Sequence, residues 1–277
     1  FDQLLDDLKA REEKALAMGG PDKLARRKTQ GLLDARQRID AFIDADSWME
    51  TGLLAVSSMV AEDRDKTPAD GKVTGFAKVD GRRVGVVSND FTTKGASSSA
   101  TNMKKIGHVK RVATERGFPL VFFGESSGAR MPDNMGAKGM GANLGHDPQQ
   151  YVRPRRTPWA SAVLGQCYGS SAWYTCLADF AVIRKGAIMA VASPGLASYA
   201  IGQDVEAEDL GGWKLLSEVS GLVDRVVETD EEAVAEIKRF LSYMPSHCNE
   251  APPRASVPAG SGEGGEKILD ILPESRT

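Results

Sequence analysis

The apolar positions of the chain follow a helical period first and a shorter, strand-like period later. Residues 2–18 set Leu5, Leu8 and Ala15 at helical spacing among charges, and Gly19-Gly20-Pro21 stops that helix. A second helical pattern runs from about 21 to 44 and carries Leu32, Leu33, Ile39, Phe42 and Ile43. An arm this polar, residues 1–45, is expected to lie on another surface and not to form a core alone. From Val73 the pattern changes. Residues 73–79 and 84–88 read as strands, and Asp80-Gly81 between them supplies the positive φ of a tight hairpin turn. A loop of small residues, 95–100, then opens a helix over 102–116, which Gly117 and Pro119 end. Residues 120–123 read as a short buried strand, 158–165 as helical and 171–178 as a helix after the turn Gly169-Ser170-Ser171. Strands at 180–183 and 188–192 and a charged helix over about 231–244 complete the pattern. Repeated strand–turn–helix units predict an α/β fold with one layered core in residues 46–250. Residues 251–277 begin with linker composition, rich in Pro, Gly and Ser, and then Lys267-Ile268-Leu269-Asp270-Ile271-Leu272-Pro273 reads as the start of a further half.

Composition narrows the function classes. With 277 residues, 41% hydrophobic and 26% charged, the chain can bury one good-sized core. A net charge of −3 gives no global basic field for nucleic acid. Cys167, Cys176 and Cys248 form no disulfide framework and no CxxC pair, and His108, His146 and His247 are scattered, so no metal site is expected. No apolar run reaches the roughly 20 residues that cross a bilayer. The start lacks a basic segment followed by an apolar one, and a cytoplasmic protein is expected.

Two loops are candidates for chemistry. Gly124-Glu125-Ser126-Ser127-Gly128-Ala129-Arg130 follows a buried strand, and Gly165-Gln166-Cys167-Tyr168-Gly169-Ser170-Ser171-Ala172 enters a predicted helix. Small residues let backbone N–H groups approach a ligand, and unpaired amides at a helix entry suit a developing oxyanion. Taken alone, both loops are better read as tight turns between strand and helix. The first also fits G-x-S-x-G with Ser126 as a hydrolase nucleophile and Asp224 and His247 in chain order. A nucleophile elbow needs a helix directly after its serine, and Pro132 with Gly136, Gly139, Gly141 and Gly145 opposes one. That glycine run is not G-x-G-x-x-G and follows no strand, which argues against a dinucleotide site. Nothing in the sequence lowers the pKa of Cys167, and Trp173 and Tyr174 read as packing residues.

The order of several strings is similar to the N-terminal domain of the acyl-CoA carboxylase β (carboxyltransferase) family. Leu33-Asp34-Ala35-Arg36-Gln37-Arg38-Ile39-Asp40 resembles L-T-A-R-E-R-I-D, and Asp44-Ala45-Asp46-Ser47-Trp48-Met49-Glu50 resembles D-x-x-S-F-x-E. Gly71-Lys72-Val73-Thr74-Gly75 matches G-x-V-T-G, and Ser88-Asn89-Asp90-Phe91-Thr92 matches S-x-D-F-T. Ser126-Ser127-Gly128-Ala129-Arg130 resembles S-G-G-A-R, and Gly169-Ser170 falls on the glycine pair of a C-A-G-G loop. Glu208-Asp209-Leu210-Gly211-Gly212 and Leu241-Ser242-Tyr243-Met244-Pro245-Ser246 resemble E-[DE]-L-G-G and L-S-Y-L-P-S.

The resemblance implies a crotonase-like spiral of β-β-α units with an N-terminal helical arm. It implies carboxyl transfer from carboxybiotin to the α-carbon of a short acyl-CoA, through an enolate held by backbone amides. Gly169 and Ser170 would form the oxyanion hole. Ser127, Gly128, Ala129, Arg130 and Tyr168 would line the neighbouring wall, and Gly95, Ala96, Ser97 and Lys105 would contact CoA. Read without the family, Lys105 fits a solvated helix face. Biotin would arrive on a biotin carboxylase or biotin carboxyl carrier partner, since no M-K-M motif is present, and the family implies a homo-oligomer, commonly a hexamer. Ser127, Ser170 and Tyr168 depart from the family's small residues and would reshape the acyl pocket. The stretch 134–158, with Arg153, Arg155 and Arg156, departs as well, and those arginines are candidates for a phosphate or an acidic acyl group. A decarboxylase subunit using the same hole in reverse and a non-catalytic assembly subunit remain as alternatives.

Overall fold

The computed structural model describes residues 1–134 and 155–272. The arm consists of α1 (Asp2–Leu16), α2 (Pro21–Thr29) and α3 (Ala35–Phe42). The single helix expected over 21–44 is split, because Gly31 turns at φ +68° and Asp34 starts a new helix. The Asp34 carboxylate accepts the amides of Arg36 and Gln37, and the Gln37 side chain accepts the Asp34 amide, a reciprocal capping box. Nor is the whole arm an appendage. Ile39 and Phe42 of α3 enter the main core, where the Phe42 ring meets Phe123 edge-on at 5.4 Å.

Next come β1 (Met49–Glu50), β2 (Lys72–Val79) and β3 (Arg82–Asn89). β2 and β3 pair antiparallel as predicted, closing with Val79 opposite Arg82. Asp80 and Gly81 both take positive φ, and their amides donate to the Asp44 carboxylate. Those bonds, that from Gly81 foremost, hold the Asp44 carboxyl below its ordinary pKa. Helix α4 (Ala100–Arg116) starts at Ser99, whose hydroxyl accepts the Asn102 amide, and stops at Gly117 in the left-handed region. It returns the chain to β4 (Leu120–Ser126), parallel to β3. α5 (Met131–Asn134) follows.

Residues 158–165 are not helical. All but Pro158 belong to β5 (Trp159–Tyr168), ten residues long. β5 is flanked on both sides within the sheet and covered on both faces, so its apolar residues do not alternate with polar ones. Beyond it lie α6 (Ser170–Cys176), β6 (Phe180–Arg184), β7 (Ile188–Ala190), α7 (Pro194–Ile201), α8 (Ala207–Gly211), β8 (Arg225–Val227) and α9 (Asp230–Ser242). The sheet order is β1-β2-β3-β4-β5-β6-β8, parallel from β3 onward, with β7 paired to the far end of β5. One face is covered by α3 and α9, against Val121, Phe123, Ala162 and Val182. The other face carries α4 and α6, where Phe122 stacks on Tyr174 at 4.8 Å. Residues 251–272 are exposed throughout.

A buried ion network joins the arm to this sandwich. Glu125 sits at an irregularity in the β4–β5 register. Its two carboxylate oxygens accept Arg27 Nη1 and Nη2 at 2.9 and 2.8 Å, and Oε2 also accepts Arg38 Nη1 at 2.9 Å. Arg38 Nε donates to Asp230 at 2.9 Å, and Arg184 Nε forms an ion pair with Asp230 at 3.0 Å. Gly165 leaves the room, since a Cβ there would meet Glu125 Oε1 at 2.5 Å.

Candidate active site

The loops after β3, β4 and β5 meet at the carboxyl ends of those parallel strands, where ligands bind in open α/β sheets. The loop after β3 runs beside the loop after β4. Ser127 N–H donates to the Gly95 carbonyl at 2.8 Å, Ser98 N–H to Gly128 at 2.8 Å, and Arg130 N–H to Ser98 at 2.9 Å. The loop after β5 closes on both. Ser98 Oγ lies 2.6 Å from Ser170 Oγ, Asn89 Nδ2 donates to Ser171 Oγ at 2.9 Å, and a Cβ on Gly169 would stand 3.6 Å from Gly128 Cα. Two glycines facing each other at this spacing make a wall of main chain. Gly169 turns at φ +63° and ψ −123°, a conformation that glycine alone adopts freely, and delivers the chain into α6.

The structure brings together most of the predicted residues, with changed roles for several. The amide of Gly169 is not free, because it donates to the Val191 carbonyl at 3.2 Å. The Ser170 amide, first in α6, has no acceptor among the described residues, as expected of an orphan N–H at a helix start. The Ala129 amide is likewise unpaired among the described residues, whereas Gly128 N–H donates to Ser126 Oγ at 3.1 Å. Ser127 and Ala129 are exposed, Gly95 and Gly169 half-buried, and Tyr168 buried against the wall. Burial raises the Tyr168 hydroxyl's pKa, so it stays neutral.

Four of the residues expected to contact a ligand are instead buried in internal bonds. Lys105 is neither on a solvated face nor directed at a ligand: its buried ammonium donates to the carbonyls of Ala69 at 2.7 Å and Lys72 at 2.5 Å. Arg130 is buried too, with its guanidinium on Asp70 at 2.5 Å and on the Ser97 carbonyl at 3.3 Å. It fastens the loop after β3 to the turn at 68–71. Ala96 is fully buried, and its carbonyl points inward. Ser97, also buried, meets Arg130 through its hydroxyl and its carbonyl. Sequence reasoning missed Ser98, Asn89 and Asp70. Ser98 stood inside the flagged loop, but Asn89 and Asp70 carried no signal, since only the fold brings them here.

Among the described residues there is no hydrolase geometry. Ser126 is buried on the last residue of β4, its hydroxyl donates to the Ala96 carbonyl at 3.1 Å, and no helix follows directly. Asp224 accepts the Ala181 amide, and His247 packs on Gly117 at the far end of α4. Cys167 is buried and its thiol pushed up to about 12 by desolvation. Iodoacetamide is therefore expected to label Cys176 and Cys248 in the folded chain and Cys167 only after denaturation, read by peptide mass spectrometry. The glycine run at 136–145, His146 and Arg153 lie outside the described residues, and Arg155 and Arg156 are exposed near His247, away from these loops. Among the described residues no three His, Cys, Asp or Glu side chains are grouped to hold a metal, and no helix is long and apolar enough to cross a membrane.

Residues 26–277 match the model of the carboxyl transferase domain. The propionyl-CoA carboxylase carboxyltransferase subunit of Haloferax mediterranei is 30% identical over 277 residues, covering 98% of this chain and 52% of that protein. The methylmalonyl-CoA decarboxylase subunit alpha of Veillonella parvula is 28% identical, covering 95% of this chain and 52% of that protein. Among solved structures, the transcarboxylase 12S hexamer with methylmalonyl-coenzyme A and methylmalonic acid bound aligns with a TM-score of 0.83 at 28% identity. That alignment covers 99% of this chain and 53% of the 12S chain. The chain thus spans about half the length of the curated relatives it matches.

Proposed function

The chain belongs to the carboxyl transferase domain family and has its crotonase-like α/β fold, and from that premise we propose that it is the acyl-CoA half of a biotin-dependent carboxyltransferase subunit. The observation that carries this reading is the Ser170 amide, unpaired among the described residues, at the main-chain wall where the loops after β3, β4 and β5 meet. A thioester carbonyl seated there would receive the Ser170 N–H, and the Ala129 N–H is the second unpaired donor nearby. Gly169 would serve by its conformation and not by its own amide. Such prealigned donors stabilise an enolate oxygen more than the neutral carbonyl, which is what lowers the barrier.

The side chains around the wall fit a reaction whose base comes from elsewhere. Arg130 and Lys105 are committed to internal bonds, and the Cys167 thiol remains protonated. Carboxybiotin, carried on a partner protein, would supply both the carboxyl group and the base. This chain would bind the CoA thioester, fix its carbonyl and exclude water from the α-carbon. The likeness to the 12S hexamer supports a homo-oligomer in which the site is completed.

The test is calorimetric titration of the chain with CoA, acetyl-CoA, propionyl-CoA and a longer acyl-CoA. A thioester is expected to bind more tightly than CoA itself, and the chain-length preference names the acyl class. A folded chain that binds no CoA species would remove this reading in favour of an assembly role. The likeness to a decarboxylase subunit supports the reverse direction on the same amides. Turnover with the biotinylated partner, started from each side, decides between the two.

A further inference from the structure

We propose that Lys72 is a positioning residue for the acyl-CoA site, holding the loop after β3 in place through the carbonyl of Ala96. The proposal rests on the reading of these loops as the thioester site. Lys72 is the first residue of β2 and is 1% exposed. Its ammonium donates to Ala96 O at 2.7 Å, and the same carbonyl accepts the Ser126 hydroxyl at 3.1 Å. Ser126 Oγ in turn accepts the Gly128 amide at 3.1 Å. One buried cation therefore reaches, through a carbonyl and a hydroxyl, the glycine that faces Gly169.

The loop needs such a hold. Lys94, Gly95 and Ala96 take φ of 49°, 60° and 47°, a left-handed run that is unfavourable for the two residues with a Cβ. That run turns the Gly95 carbonyl toward Ser127 N–H and leads Ser98 to its bond with Ser170 Oγ. A hydrogen bond from an ammonium is stronger than one from a neutral donor and can hold the loop in this form.

Fold stability does not account for a lysine here. The groups facing it are Cys167 on β5, Arg130 after β4, Asp70 on the 68–71 turn and Asp90 after β3. Among the described residues it makes no ion pair with either aspartate. Desolvation draws its pKa down to about 7 from 10.5. Between those values the unfolded chain binds the extra proton, so stability rises with pH there. Well below the lower value the buried charge costs stability in full. An apolar side chain of the same length would remove that cost, and Ser126 would still satisfy Ala96 O.

Lys72→Met is therefore expected to unfold at the same or a higher denaturant concentration than the parent chain. At one fixed pH, its amide hydrogen exchange over 94–99 and 126–130 should rise about tenfold, the loss of one charge-assisted bond, with 105–115 unchanged. Parent affinity for the thioester should fall about tenfold from about pH 6 to about pH 9 as the ammonium is lost, while the Lys72→Met profile stays flat and weak. Lys105→Met serves as the control, because Lys105 is drawn down to about 8 by burial and titrates nearby. A less stable or unfolded Lys72→Met, or unchanged exchange in both loops, would overturn the proposal. Raised exchange in chains that bind no thioester at any pH would keep the loop tie and remove the reading of the site.

Discussion

Replacing Glu125 by alanine is expected to cost about 3–5 kcal/mol, because it strands buried arginines whose charge has no other full partner. Among the described residues Arg38, fully buried, retains only Asp230, which Arg184 shares, and Arg27 keeps only the Leu33 carbonyl. The carboxylate is worth this much because it ties the arm to the sheet at a point where water cannot enter. Lys185, paired with Glu228 at the surface, gives the contrast: Lys185→Ala should cost no more than about 1 kcal/mol, as exposed ion pairs do. Urea unfolding of both variants beside the parent checks the comparison. Equal midpoints for the two variants would mean that the network is not a keystone of the fold.

If the proposed carboxyl transfer is this chain's reaction, Ser170→Pro should lower its rate by about 10²–10³, the usual loss on removing one oxyanion donor. Proline is expected to fit this position, since Ser170 is the first residue of α6 and its amide serves no helical bond, and circular dichroism must first show that the variant is folded. The variant therefore deletes a donor without breaking the helix. Ser170→Ala is the partner measurement: it also loses the hydroxyl contact with Ser98 but keeps the amide. The gap in kcat between the two, measured in the complete enzyme with its biotinyl partner, isolates the amide. Similar rates for both variants would place the enolate oxygen elsewhere.

Elements whose ends are written in local chemistry were legible before any coordinates. Asp80-Gly81 announced the β2–β3 turn, and Gly117 announced the stop of α4. The loops carrying Gly128 and Gly169 stood out by their small residues, although the strand leading into the second was not visible. β5 was misread because a strand covered on both faces has no alternation to betray it. The division of the arm depended on Asp34 turning its carboxylate onto its own helix. The least legible features were directions of side chains. Whether Lys105 and Arg130 face solvent, ligand or interior depends on a turn at 68–71, more than 30 residues away in each case. The distinction between the Gly169 and Ser170 amides likewise hangs on Val191, which only the β5–β7 pairing brings close.

Because the wall between Gly128 and Gly169 is peptide backbone, a side-chain change near it can reshape the pocket yet leave the wall's own N–H groups in place. Any residue that accepts the local φ and ψ offers the same N–H, so serine at 127 and 170 can stand in for glycine without altering that donor. Such a surface drifts freely in its letters while its chemistry is kept, and selection acts on it only through conformation. Relatives of this chain could then share a reaction yet retain few of the residues that an inventory of reactive side chains would seek.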